Sequence, residues 1–422
     1  MNESSRISGF YKLSPEERLK LVKEISGLSK KESEILEENG SLSIKQADKM
    51  LENVIGTFEL PFGIAVNFLI NGKDYLIPMV IEESSVVAAA SNGAKIARKN
   101  GGFKTESTDP IMIGQIQITD LEDIESAKRK IDDRKEDILK LANQQDPTLI
   151  EAGGGARDLE LREINTEKGN ILVAHLLIDT KDAMGANAVN TMAEAVAPMI
   201  EEITDGNVLL RIISNLADKR IAKAEAVFGK EELGGKNTVD KIIGAYHFAL
   251  ADQYRCATHN KGIMNGIEAV ALATGNDTRA LEAGGHAYAC KNGRYKPLTK
   301  WEKTENGDLR GSIELPIAVG IIGGVTKVNP LSKVALKILN VDSSKELSEV
   351  MAALGLAQNL AALRALAEEG IQKGHMKLHA KNIAALVSSE EQYIDQIAER
   401  MIEKDEINME KAKEIFSDLQ RS

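Results

Sequence analysis

Between Ile111 and Ile213 the apolar residues switch repeatedly between the two-residue period of a strand and the wider period of a helix. Ile111 to Ile118 alternates, and Leu121 to Ala142 reads as one long, charged, amphipathic helix. Leu159–Ile164 and Ile171–Ile178 form a hairpin around Lys168-Gly169-Asn170. Ala188 to Ile203 is a second helix, and Val208 to Ile213 a closing strand. Strand, helix, strand, strand, helix, strand is the order of the ferredoxin-like split motif. It places a compact unit at 110–215 inside a chain of 422 residues, which is long enough for two or three domains.

The flanking sequence belongs to something larger. Ser14-Pro15-Glu16-Glu17 combines a capping box with proline at the first helical position, Ser29 with Glu32 repeats the box, and Ser43 with Gln46 caps a third helix. Gly40 ends the second of these helices. Leu60 to Ile81 reads as two strands around Asn71-Gly72, a strong hairpin signal, and Ser84 to Lys99 as an alanine-rich helix. Asp240–Tyr254, Glu268–Ala273 and Lys345–Glu369 are read as helices, and Ser312–Val319 as a strand. Gly370 and Gly374 then separate a tail of short Lys/Glu-rich helices, either a segment that moves against the body or a solvated helical cap.

Charge and cysteine content narrow the function. Lys plus Arg total 53 against 64 Asp plus Glu, a net charge of −11, which argues against a nucleic-acid or anionic-membrane partner. A local basic pocket for a phosphorylated ligand survives that total. Two cysteines, Cys256 and Cys290, leave no disulfide framework and no four-cysteine zinc site. The N-terminal residues lack a signal-peptide core, and no apolar run reaches the roughly 18 residues of a membrane span. The expected location is the cytoplasm.

Four groups of residues carry possible chemistry. DAMGANAVNTMAEA (Asp182 to Ala195) leads a glycine turn into a helix N-terminus, which suits a phosphate and equally suits a plain tight turn. No G-x-G-x-x-G and no G-x-x-x-x-G-K-[ST] occurs, so a dinucleotide would bind without the Rossmann fingerprint. THNKGIMNG (Thr258 to Gly266) sets Lys261 in what reads as a glycine-rich turn, as a fixed cation for an oxyanion or as an incidental surface lysine. Asp277 in ATGND is a candidate carboxylate partner for it. Glu82 and Glu83 stand at a strand-to-helix junction, as helix-terminal charges or as a proton-donating carboxyl. His375 and His379 are four apart but lack the acid of a metal motif, so a single histidine acting as a general acid is the better reading, and no metal is expected.

These strings, in shared order from 52 to 384, resemble hydroxymethylglutaryl-CoA reductase of the soluble class II form. The matching stretches are ENVIGTFELPF, EESSVVAAAS, DAMGANAVNTMAEAVAP, SNLAD, ATHNKGIMNGIEAV, ATGND, GIIGGVTKVNP, GLAQNLAALRALAEEGIQKGHM and LHAKNIA. The resemblance implies an α+β fold: a large mixed domain (1–109 and 216–374), an inserted ferredoxin-like cofactor domain (110–215) and a mobile C-terminal helical flap (375–422). It implies two-step reduction of HMG-CoA to mevalonate and CoA through mevaldyl-CoA hemithioacetal and mevaldehyde. Lys261 would stabilise the oxyanion, Glu83 act at the aldehyde oxygen, Asp277 hydrogen-bond both and tune them, and His375 protonate the CoA thiolate. Ser85, Arg255 and Asn265 match positions that hold the hydroxymethylglutaryl group, and Gln358 a CoA contact. Asp182, Met184, Gly185, Asn187 and Asn215 match the dinucleotide site, and Asp146 a position where an acid favours NAD(H) over NADP(H). The implied assembly is a homodimer with active sites at the subunit interface.

The chain departs from the family pattern in places. EESS stands for the commoner EEPS, GIIGGVT for related apolar forms, and Tyr11 where relatives carry an arginine for the CoA phosphates, with Lys12 as a substitute. A non-catalytic CoA- or nucleotide-binding regulator is the alternative, and it predicts loss of at least one of Glu83, Lys261, Asp277 and His375. All four are present.

Overall fold

The structure is a computed structural model that describes residues 4–37, 41–368 and 379–420. The expected Gly40 stop and His375 lie outside those residues. The N-terminal caps form as their residues dictate. Ser14 and Glu17 make a reciprocal capping box on α1 (Pro15–Ser26), Ser29 exchanges hydrogen bonds with Glu32 before α2 (Lys30–Glu37), and Ser43 and Gln46 close the box on α3 (Ile44–Ala47).

The hairpin β1 (Phe62–Ile70) and β2 (Lys73–Val80) turns at Asn71 and Gly72, both at positive φ as a type I′ turn requires. It leads into α4 (Val86–Arg98) and β3 (Phe103–Ser107). The split motif follows: β4 (Ile111–Thr119), α5 (Ile124–Asp133), α6 (Lys135–Asn143), α7 (Pro147–Glu151), β5 (Gly155–Thr166), β6 (Gly169–Asp179), α8 (Ala186–Thr204) and β7 (Asn207–Ser214). Its antiparallel sheet runs β5-β6-β4-β7 and buries a core of its own, including Ile116, Ile131, Leu176 and Met192. The single helix expected over Leu121–Ala142 is broken at Arg134, whose backbone leaves the helical region. The break lets both pieces turn an apolar face, Ile131 on one and Ile138 on the other, onto the same core.

The chain returns through β8 (Ile221–Phe228), α9 (Lys230–Leu233), α10 (Lys236–Ala251), α11 (Gln253–Ala273), α12 (Thr278–Ala289), β9 (Thr299–Lys303) and β10 (Leu309–Pro316). The six-stranded sheet has the order β2-β1-β3-β8-β10-β9, with only β1 and β3 parallel among its pairs. Then come α13 (Gly324–Val328), α14 (Pro330–Leu339) and α15 (Ser344–Ala367). Helix α15 is long and apolar enough to cross a membrane, a possibility the sequence reading missed, yet two thirds of its apolar window is buried against the sheet and α4, α10 and α11. Glu391–Glu403 and Met409–Gln420 pack on residues 379–385 around a separate apolar cluster of Ala380, Ile397, Met401 and Ile415.

Candidate active site

Helix α11 overturns one expectation outright. Lys261 lies in mid-helix, not in a turn, and Gly262 and Gly266 are interior residues of α11. Gly266 sits against Leu354 and Gln358 of α15. On α11, Lys261, Asn265 and Glu268 recur at i, i+4 and i+7 and share one face, while Ile263, Ile267 and Val270 face the core. Lys261 Nζ donates to Glu83 Oε2 at 2.9 Å, and Asn265 Nδ2 to the same oxygen at 3.4 Å. The pair joins residues 178 apart in sequence. Its side chains are 62% and 35% exposed, so it contributes little to stability and its worth is positional.

Ser85, between Glu83 and α4, has φ 77° and does not cap the helix it precedes. A non-glycine residue in that region costs of order 1–3 kcal/mol and is retained where the surroundings dictate it. Its Oγ is buried without a partner, and so is Oε1 of Gln358, which is 5% exposed on α15. Arg255 stands in the first turn of α11, where burial lowers its pKa. Its guanidinium has no carboxylate partner among the described residues. A desolvated, unpaired guanidinium suits a planar carboxylate.

Within one chain Asp277 stays apart from Lys261 and Glu83. It caps α12, accepting from Arg279 N at 3.0 Å and Ala280 N at 3.2 Å, and pairs with the Arg279 guanidinium at 3.1 Å. The twelve residues from Lys261 to the end of α11 span about 18 Å at the rise of an α-helix, beyond the reach of either side chain. Among the described residues no hydrogen bond links Asp277 to Lys261 or Glu83 within one chain.

The second part of the site gathers loops. At the N-cap of α8, Gly185 has φ 97°, and a Cβ there would lie 2.3 Å from Thr180 Cγ2, so glycine is required. No side chain caps α8 and its first turn carries no acid, which leaves N–H groups open to an anion. Gly320 of GIIGG approaches so closely that its Cβ would lie 2.6 Å from Met184 N. Asn276 of ATGND clasps Gly320 from the other side, accepting its N–H at 2.8 Å and donating to its carbonyl at 3.1 Å. Asp182 accepts from Ser344 N at 2.8 Å, so this carboxylate ties the loop to α15. Asn187 is exposed on the first turn of α8, and the Asn215 carbonyl lies over Gly284 of α12. Asp146 caps α7 through Oδ1, and the following turn sets Gly154 against the Asp179 carbonyl at the end of β6.

Sequence reasoning missed the group that organises these loops. Arg220 is 4% exposed and donates to Thr180 Oγ1 at 3.1 Å, the Ala183 carbonyl at 3.1 Å, the Met184 carbonyl at 3.3 Å and the Val319 carbonyl. Burial pushes its pKa down to about 10, against the pull of Asp182 and Asp179, so it stays charged at neutral pH. In the string Asp218-Lys219-Arg220 nothing separates it from a solvated charge. Asn276 was equally hidden beside Asp277.

A cleft of about 1460 Å³ runs along α4 and beneath the N-terminal segment. Arg6, Lys12, Arg18, Lys95, Arg98 and Lys99 line it, a basic concentration in an acidic chain. Arg98 is held by Asp74 at 2.6 Å and Lys99 by Glu232 at 3.0 Å. Arg6, Lys12 and Lys95 have no ion-pair partner among the described residues. Among those residues no cluster of three or more His, Cys, Asp or Glu is placed to hold a metal ion.

The family model described as hydroxymethylglutaryl-coenzyme A reductase matches residues 14–380. The chain is 58% identical over 416 residues to the 3-hydroxy-3-methylglutaryl-coenzyme A reductase of Archaeoglobus fulgidus, covering 99% of this chain and 95% of that one. Among solved structures, that of the same-named enzyme from Streptococcus pneumoniae superposes with a TM-score of 0.84 at 42% identity, covering 98% of this chain and 99% of the other. A structure of the class II enzyme from that organism, bound to NADPH in open conformations, gives a TM-score of 0.82 at 41% identity, covering 97% and 100%.

Proposed function

The chain belongs to the hydroxymethylglutaryl-coenzyme A reductase family, and from that premise we propose that it reduces hydroxymethylglutaryl-CoA to mevalonate and CoA, reversibly, through mevaldyl-CoA hemithioacetal and mevaldehyde. The observation that carries this reading is the Lys261–Glu83 contact, a cation and a carboxyl side by side with Asn265 on the same oxygen. A bound reduced nicotinamide supplies one hydride in each half-reaction. Lys261 stabilises the negative charge that develops on the thioester and then the aldehyde oxygen. Glu83 delivers a proton to the aldehyde oxygen, and Asn265 keeps that carboxyl in place. Arg255 takes the free carboxylate of the substrate, with Ser85 beside it. The cations along α4 take the CoA phosphates, with Lys12 and Arg6 in the role that Tyr11 cannot fill, and Gln358 contacts the CoA arm. His375 protonates the departing thiolate, and 375–422 acts as a flap behind 1–109 and 216–374.

The cofactor fits the loops around Gly185. Open N–H groups at the α8 terminus face a turn with no capping side chain, which suits a pyrophosphate. Asp146, with only Oδ1 engaged, favours NAD(H), since a carboxylate accepts ribose hydroxyls and repels a 2′-phosphate. Asp277, out of reach of its own Lys261, completes the site of a second copy, which makes the homodimer the working unit. The exposed Tyr254 and Leu272 on the Lys261 face, and Ile55 and Phe58 in ENVIGTF, support such a contact. The unpaired cysteines support a cytoplasmic location.

The test is nicotinamide absorbance with hydroxymethylglutaryl-CoA and either NADH or NADPH. Thioester-dependent oxidation, faster with NADH, is expected. Asp146→Ser should narrow the difference by about tenfold. Silence with both cofactors, and in reverse with mevalonate and CoA, would overturn the reading in favour of a binding protein.

A further inference from the structure

Strand β1 carries an extra residue. Ala65 pairs with Ile77 and Phe68 with Tyr75 of β2, so Val66 and Asn67 together oppose Leu76, a β-bulge. Asn67 has φ 74°, a region that asparagine tolerates better than most residues. The N–H groups of the bulge are taken up outside the sheet. Val66 N donates to Ser91 Oγ of α4 at 3.1 Å, and Asn67 N to the Ser5 carbonyl at 2.9 Å. A bulge re-aims what a strand presents, and this one presents a backbone donor to the N-terminal segment.

Ser5 is 1% exposed and is held from several sides. Its N–H donates to Asp74 Oδ1 at 2.8 Å, and its hydroxyl lies 2.6 Å from the same oxygen and 2.8 Å from the Phe68 carbonyl. Arg98, in the last turn of α4, grips both oxygens of Asp74, at 2.6 and 3.1 Å. It also donates to the hydroxyls of Ser4 at 3.1 Å and Ser5 at 3.2 Å. Arg98 lines the basic cleft, yet its two terminal nitrogens are spent on this anchor. A second anchor follows a few residues on. Phe10 is buried with Val22, Leu76 and Ile338, and Arg18 of α1 donates to the Phe10 and Tyr11 carbonyls at 3.2 and 3.1 Å. Residues 4–12 are therefore a strap pinned at two points. Arg6 and Lys12, exposed on the strap and without an acidic partner among the described residues, line the cleft that runs along α4 to Lys99.

We propose that Ser5 is a positioning residue for CoA thioesters: held by the bulge and by the Asp74–Arg98 pair, it fixes the neighbouring Arg6 in the wall of the cleft to meet the ligand's phosphates. The proposal rests on the reductase reading for the identity of that ligand. The anchor removes backbone freedom beside Arg6 before anything binds, and a charge-assisted contact that need not first be ordered is tighter. Ser5 does not touch the ligand and takes no part in hydride or proton transfer. The consequence is selective. A thioester substrate, which carries phosphates, senses the anchor, whereas free mevaldehyde, which has none, does not.

Ser5→Pro removes the N–H and the hydroxyl together and leaves the Asp74–Arg98 pair in place. It should raise KM for hydroxymethylglutaryl-CoA about tenfold with kcat within about twofold, and leave KM for mevaldehyde unchanged. Retained mevaldehyde reduction also shows that the variant folds. Ser5→Gly, which keeps the N–H and loses the hydroxyl, should give a rise of about threefold. Arg6→Ala should raise the thioester KM about as much as Ser5→Pro, and the double variant no further, because an anchor that acts through Arg6 then has nothing left to position. Effects that multiply in the double variant overturn the proposal. So does an equal rise in the mevaldehyde KM, the result that a merely structural role for Ser5 predicts. Calorimetry with CoA alone needs no turnover: its Kd should rise about tenfold in Ser5→Pro, and an unchanged Kd overturns the proposal. Failure of the wild type to oxidise NADH or NADPH with the thioester sinks the reductase reading instead.

Discussion

Around Gly185 the contacts come from backbone, and each arm is pinned within the same chain: Arg220 holds the Thr180–Met184 turn and Val319, Asn276 holds Gly320, and Ser344 holds Asp182. Around Lys261 and Glu83 the contacts come from side chains on an exposed helix face, and several groups lack partners. Among the described residues Arg255 has no carboxylate, Ser85 and Gln358 carry unpartnered buried oxygens, and Asp277 points elsewhere. The first region is built before anything binds. The second has its polar groups in place but, among the described residues of one chain, leaves several of them without partners. A pre-formed cradle suits an anion that is bound and released unchanged, whereas a reacting centre must leave polarity unspent for charge that appears only in the transition state.

The largest break in this contrast comes from Lys261→Ala. It should lower reduction of both the thioester and free mevaldehyde by about 10²- to 10³-fold, the loss seen when one oxyanion donor is removed. Retained thioester reduction in a steady-state assay would strip Lys261 of its role. Mixing tests whether the side-chain region is shared between copies. Lys261→Ala and Asp277→Ala homodimers should each be nearly inactive, and a refolded equimolar mixture should recover about a quarter of wild-type activity, because half the dimers regain one intact site. No recovery would place both residues in one subunit's site. In the pre-formed region, Arg220→Met should raise the KM for the nicotinamide cofactor about tenfold and destabilise the fold by about 2–4 kcal/mol, read by thermal unfolding. A loss of stability with unchanged cofactor KM would show that the cradle holds its shape without its central cation.

Local structure was largely legible along the chain. The capping boxes at Ser14, Ser29 and Ser43, the Asn71-Gly72 turn and the βαββαβ order each rest on residues near one another in sequence, and each appears as read. The misreadings share a cause. Gly262 and Gly266 signal a turn by local propensity, yet both lie inside a long helix, and at Gly266 that helix packs closely on α15. Leu121–Ala142 has a continuous helical pattern, but the chain breaks at Arg134, and Ile131 and Ile138 on the two pieces reach the same core.

The amino-acid order by itself determined which residues were available for chemistry: Glu83, Lys261, Asp277 and His375, the DAMGAN turn, and the absence of any Rossmann or metal motif. It did so because motif chemistry depends on residue type and short spacing. Only the tertiary structure decided that Glu83 meets Lys261 across 178 residues, that Arg220 is buried and not solvated, and that Asp277, capping α12 beyond the end of α11, does not reach them within one chain. Those are questions of distance between remote segments, and they are settled by how helices and sheet pack and not by any window of sequence.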